Sequence, residues 1–119
     1  ILHRATEHNS VPDTTAELDL SRVMQCMDTT DGVMALFHHL QRTAQDCGFG
    51  EIGCFQVGGL SDSGITVACG VPTVCGMGVR GEGNHTPDEY AEVESLFQRS
   101  VLAACAAYTL NDDFAKAAE

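Results

Sequence analysis

Between Glu51 and Val79 the chain spells, in order, a short apolar segment (EIGCFQVGG), a polar loop (LSDSG), a brief helical segment (ITVACG) and a second apolar segment (VPTVCGMGV). No other feature restricts the topology as much. A strand, a glycine loop, a helix and a second strand in that order make a right-handed crossover between parallel strands. The β-branched residues of the second segment suit a sheet covered on both faces. The expected fold is therefore α/β, a partial three-layer arrangement of parallel strands with flanking helices.

The remaining segments fit around that unit. Residues 1–15 are polar and read as irregular, with His3, Arg4 and His8 and the turn SVPDTT. Ala16, Leu18 and Leu20 alternate with Glu17, Asp19 and Ser21, the pattern of a half-buried strand. From Asp31 onward Val33, Leu36, Phe37, Leu40, Ala44 and Cys47 fall on one helical stripe. Thr30 or Asp31 can cap that helix, and Gly48 or Gly50 can end it. The sequence GMGVRGEGNH at 76–85 reads as a loop, and YAEVE as a brief strand. The last element is a helix from about Ser95 to Leu110 with two apolar stripes, one of Phe97, Val101, Ala104 and Tyr108, the other of Leu96, Ala103, Ala107 and Leu110. Such a helix is expected between two neighbours, with a frayed tail after it.

Charge and cysteine usage narrow the function. The 119 residues carry 6 Lys+Arg against 17 Asp+Glu, a formal charge of −11. Nucleic-acid binding needs clustered basic residues, and one lysine and five scattered arginines do not supply them. The same charge opposes docking on anionic membranes. The longest apolar run, Val101 to Ala107, is far short of the ~20 residues that cross a bilayer. No basic-then-apolar leader opens the chain, and Ile1 in place of Met points to a trimmed or incomplete product. The length suits one domain or a piece of a larger one. Cys26, Cys47, Cys54, Cys69, Cys75 and Cys105 lie in apolar contexts without a C-x-x-C, so reduced, mostly buried thiols and a cytoplasmic home are expected.

Two loops can carry chemistry. His85 follows four glycines and precedes Thr86-Pro87-Asp88-Glu89, placing an imidazole and two carboxylates on a stiffened turn. Metal ligation suits that set, with a carboxylate orienting the imidazole. The plain alternative is an exposed loop histidine, and a catalytic zinc wants about three protein ligands. The second loop, Gly58-Gly59-Leu60-Ser61-Asp62, joins a strand end to a helix start, where backbone N–H groups favour an anion. Helix capping by Ser61 or Asp62 explains it equally well. Both loops follow the carboxyl end of an expected parallel strand, the edge where open α/β sheets bind ligands. His38 and His39 are adjacent on a helix, point about 100° apart, and read as solvated. A cysteine nucleophile, Cys54 or Cys75 near His85, is a weaker reading because apolar surroundings oppose a lowered thiol pKa.

The two loops and their separation resemble the C-terminal part of the M20 family of metallopeptidases and aminoacylases. GGLSDSG, followed by GVPTVCGMGVRGEGNHTPDEYAEVESLFQR, matches the family's Gly-Gly-x-Ser/Thr-Asp loop, its G-(I/V)-P-T strand, its glycine-rich loop and its H-(S/T)-x-x-E-(Y/W), in that order. The resemblance spans about residues 11–110. It implies that residues 1–27 are a remnant of an inserted lid or dimerisation domain and residues 28–119 the C-terminal part of a catalytic domain. It further implies a two-zinc hydrolase cleaving an amide or peptide bond next to a free carboxylate in an N-acyl amino acid or peptide; whether the chain also forms a homodimer through exposed apolar faces is left open. In the family pattern His85 matches a zinc ligand, Glu89 a carboxylate behind the metal, and Gly58, Gly59, Leu60 and Ser61 the loop holding the substrate carboxylate. The metals would activate a water and polarise the carbonyl while a glutamate takes the proton.

The departures are as informative as the match. The family's H-x-D and Glu-Glu motifs have no counterpart here, and Leu60 stands where a small residue is common. The resemblance therefore implies a segment that is incomplete and inactive alone, with no catalytic base of its own. A different class of reading is a small non-catalytic α/β module that binds a carboxylate ligand or a protein.

Overall fold

The structure, a computed structural model, describes residues 2–7, 10–21 and 23–111. Six elements follow in chain order: α1 (Leu2–Glu7), α2 (Asp31–Asp46), α3 (Ser63–Ala68), β1 (Gly81–Glu82), β2 (Tyr90–Ala91) and α4 (Val93–Thr109). Helix α1 lies where an irregular segment was expected, and the tail expected to fray lies beyond Asn111, outside the described residues.

Helix α2 forms for the reasons its sequence gives. The Thr30 hydroxyl accepts the Val33 N–H at 3.2 Å and so satisfies one of the orphan donors of the first turn. At the other end Gly48 adopts φ +74°, its N–H reaches the Gln45 carbonyl, and the Phe49 N–H reaches Ala44. That paired closure needs a left-handed residue, which glycine supplies without a Cβ penalty. Helix α3 stops in the same way: Gly70 has φ +81°, with Gly70 N–H on Val67 and Val71 N–H on Thr66.

The core sits where α2 packs on α4. Ala44 is 0% exposed and Leu102 1%, with Val33, Leu40 and Ala106 also buried. Across this contact His39 Nε2 lies 2.9 Å from the Ala106 carbonyl oxygen, which makes the ring nitrogen the donor. His39 is thus half-buried and engaged, unlike the solvated residue expected, while His38 is exposed and bonds Gln41. The burial pattern of α4 also departs from expectation. Both apolar stripes read from the sequence are exposed, and the covered face runs through Ser95, Leu102, Cys105 and Ala106. An alanine-rich helix offers several faces of similar hydropathy, so the partner that arrives decides which one is buried.

The parallel sheet expected from the order of elements is not seen among the described residues, whose one sheet is the antiparallel pair β1–β2 with Gly81 opposite Ala91 and Glu82 opposite Tyr90. Residues 14–20, 51–57 and 71–77 join no strand ladder. A parallel strand needs a neighbour and cover on both faces, and here Phe55 is 86% exposed, with Val57 and Val71 also open. The thiols share that fate. All six are free, four are exposed (Cys26, Cys54, Cys69, Cys75) and Cys47 and Cys105 are half-covered, so the expectation of burial fails for want of the layers that would cover them.

The consequence is an extended molecule. Its radius of gyration is 19.3 Å, where a compact chain of this length has about 13.5 Å. It exposes 9562 Å², against about 6,200 Å² for a compact monomer of this mass. No helix among the described residues is long and apolar enough to cross a membrane.

Because so little is buried, the α2–α4 contact should dominate stability. Leu102→Ala should cost about 2–5 kcal/mol, whereas Val101→Ala, one residue along on an open face, should stay within about 0.5 kcal/mol. Urea titration of the helical circular dichroism signal reads both, and equal effects would contradict the packing described.

Candidate functional site

The hairpin that carries His85 is anchored at its base to α4. Glu92 N–H donates to the Arg80 carbonyl at 2.8 Å, which extends the β1–β2 pairing by one step. The Arg80 guanidinium meets the Glu92 carboxylate at 2.9 Å. Beneath them the Ser95 hydroxyl, 1% exposed, accepts the Arg80 N–H at 2.8 Å and donates to the Glu92 carbonyl at 2.6 Å. A buried hydroxyl with both its donor and its acceptor used is a rigid joint. Sequence reading missed this clasp, because Ser95 lies inside the first turn of α4, past the capping position Glu92, and its partner Arg80 is 15 residues away.

Two consecutive turns shape the tip. Thr86 N–H and its hydroxyl both donate to the Gly83 carbonyl, at 3.0 and 2.7 Å, with Asn84 and His85 between them. His85 takes φ +66°, the left-handed region in which histidine is several-fold enriched among non-glycine residues. Glu89 N–H then donates to the Thr86 carbonyl at 3.2 Å, with Pro87 in the second position that its fixed φ favours. The result is an exposed imidazole held out on a defined tip, with no hydrogen bond or ion pair within the described residues. Glu89 lines an open hollow of about 470 Å³ with Val79, Gly81, Asn84, Tyr90 and Ala91, and His85 stands outside it.

The diglycine loop is a separate cluster. Gly58, Gly59 and Leu60 are exposed, and their N–H groups make no hydrogen bond within the described residues. Neither glycine has a left-handed φ or a crowded Cβ position. Ser61, not Asp62, serves the start of α3, its oxygen accepting the Ser63 N–H at 3.3 Å. The same Ser61 oxygen lies 3.3 Å from the Cys75 sulfur. A second link, Thr66 to Thr73 between hydroxyls at 2.8 Å, folds residues 71–75 back along α3. This unit of loop, helix and returning segment brings Ser61 and Cys75 together, but no hydrogen bond joins it to His85 or Glu89.

The Ser61 hydroxyl, foremost, holds the Cys75 thiol below its ordinary range, with weaker help from the Gly76 N–H and from the Ser63 hydroxyl, which is buried and makes no ordinary hydrogen bond. Cys75 is thus more acidic than its apolar sequence context suggested, because the Ser61 hydroxyl that reaches its sulfur outweighs the opposing effect of burial. Among the described residues no three His, Cys, Asp or Glu side chains gather in a metal-holding group.

Ser61→Ala removes the largest stabiliser of the Cys75 thiolate. The pH midpoint for alkylation of Cys75 by iodoacetamide should move up, and its rate at neutral pH should fall; a midpoint that stays put or moves down contradicts the contact. Comparison with known proteins returns no match: no family model fits the chain, and no curated protein or solved structure is similar to it.

Proposed function

We propose that the chain is the C-terminal segment of a zinc-dependent hydrolase of the M20 type, which cleaves an amide or peptide bond next to a free carboxylate in an N-acyl amino acid or peptide. The observation that carries this reading is the ordered run of Gly58-Gly59-Leu60-Ser61-Asp62, then Gly70-Val71-Pro72-Thr73, then a glycine-rich stretch ending in His85-Thr86-Pro87-Asp88-Glu89. In it His85 holds one metal ion, Glu89 supports that ligand, and the Gly58–Ser61 loop receives the substrate carboxylate through backbone N–H groups.

Three structural facts support the reading. The His85 imidazole is uncommitted and exposed on a defined hairpin tip. The N–H groups of Gly58, Gly59 and Leu60 are likewise uncommitted within the described residues. The molecule also exposes far more surface than a compact chain of its size, including Phe55, Val57, Phe97 and Tyr108, as a segment built against another part of a protein does. Among the described residues no three donors gather into a metal-holding group. The remaining ligands and the general-base glutamate belong, in this reading, to an N-terminal half bearing H-x-D and Glu-Glu. The six free thiols suit a reducing, cytoplasmic compartment.

Expressed together with the polypeptide encoded upstream, the protein should hydrolyse N-acyl amino acids and lose that activity to a chelator. His85→Ala should lower kcat/KM by more than about 100-fold, and Glu89→Gln by about 10–100-fold. Unchanged rates in His85→Ala would overturn the assignment. Carboxylate binding by the metal-free chain without any hydrolysis would point to the non-catalytic binding module instead.

A further inference from the structure

Four of the six cysteines are scattered over exposed segments, whereas Cys47 and Cys105 lie at the packing of α2 on α4, the most extensive contact between elements among the described residues. Cys47 is the residue that closes α2, and Cys105 lies on the covered side of α4, between buried Leu102 and Ala106. Both thiols are half-covered and line the same open groove of about 600 Å³, together with His39, Arg42, Asp46 and Tyr108. The Cys105 side chain is near enough to act on the Cys47 thiol, which it pushes above its ordinary range. A groove of this size admits a small oxidant, and rotation about χ1 is the motion that brings two neighbouring thiols into bonding geometry.

We propose that Cys47 and Cys105 are a peroxide-oxidisable thiol pair that closes a reversible disulfide between α2 and α4. The Cys105 sulfur attacks the peroxide oxygen, the O–O bond breaks, and the chain is left with a sulfenic acid at Cys105 and one water released. The Cys47 sulfur then displaces that hydroxyl: the S–S bond forms, the S–O bond breaks, and the Cys47 proton leaves with the departing oxygen as a second water. The two thiols give up two electrons and the peroxide takes them. Cys47 is the second to react, because the neighbouring Cys105 side chain, foremost, pushes the Cys47 thiol up, with burial and Asp46 adding to the effect. Rapid oxidation at the more acidic Cys75 yields a sulfenic acid with no thiol partner among the described contacts, so the pair is distinguished by its product and not by its speed.

The test treats the full chain with a small excess of hydrogen peroxide at low protein concentration, blocks remaining thiols, and maps the peptides without reduction. The expected result is one internal cross-link joining the Cys47 and Cys105 peptides, reversed by dithiothreitol, with a higher melting temperature for the helical signal while it is closed. A variant with C26S, C54S, C69S and C75S, all at exposed positions, should lose both remaining thiols to that cross-link. The proposal is overturned if the two stay alkylatable, if they oxidise separately to acids without linking, or if another pairing forms to the same extent.

Discussion

The seam between α2 and α4 is the constraint on which the remaining geometry depends. Leu40 and Ala44 on one side and Leu102 and Ala106 on the other remove the largest block of apolar surface from water, and His39 adds a bond to the Ala106 carbonyl within the same contact. Because α4 is fixed by this seam, its first turn is a stable platform. Ser95 projects from that turn into the base of the hairpin and fastens Arg80, and through Arg80 and Glu92 it sets where the His85 tip is held. The candidate metal ligand is thus positioned by a chain of contacts that begins in apolar packing some fifteen residues further along.

Against that seam stands a large unburied remainder. Apolar surface is stabilising only when it leaves water, and here Phe55, Val57, Phe97 and Tyr108, the last 90% exposed, stay in it. The two apolar stripes of α4 face outward beside the one that is covered. Segments whose composition suits a buried parallel sheet run without a ladder. These features share one physical description: among the described residues, apolar surface stays in water that packing against a further layer would remove. In the proposed reading that layer would belong to another part of a longer polypeptide, to which the diglycine loop and the His85 hairpin would both turn.

What was legible in the sequence follows the same division. Features set by local chemistry were readable: the Thr30 cap, the stripe through Val33, Leu40 and Ala44, and the left-handed stop at Gly48. Features set by distant neighbours were not. The covered face of α4 depends on where α2 arrives, the engagement of His39 on a carbonyl 67 positions away, and the acidity of Cys75 on a hydroxyl 14 positions upstream. For the site, residue type and order singled out His85, Glu89 and the Gly58–Ser61 loop, but the Ser95 joint beneath the hairpin carries no signal beyond a serine near a helix start.

The central claim is that His85 reaches a metal ion whose other ligands come from outside this chain. Zinc-edge anomalous diffraction from crystals of the longer polypeptide tests it most directly. The account predicts a zinc peak about 2.0–2.1 Å from a nitrogen of His85, with carboxylates of an N-terminal half completing the site. A map in which the His85 ring points into solvent while zinc is bound elsewhere, or nowhere, contradicts it.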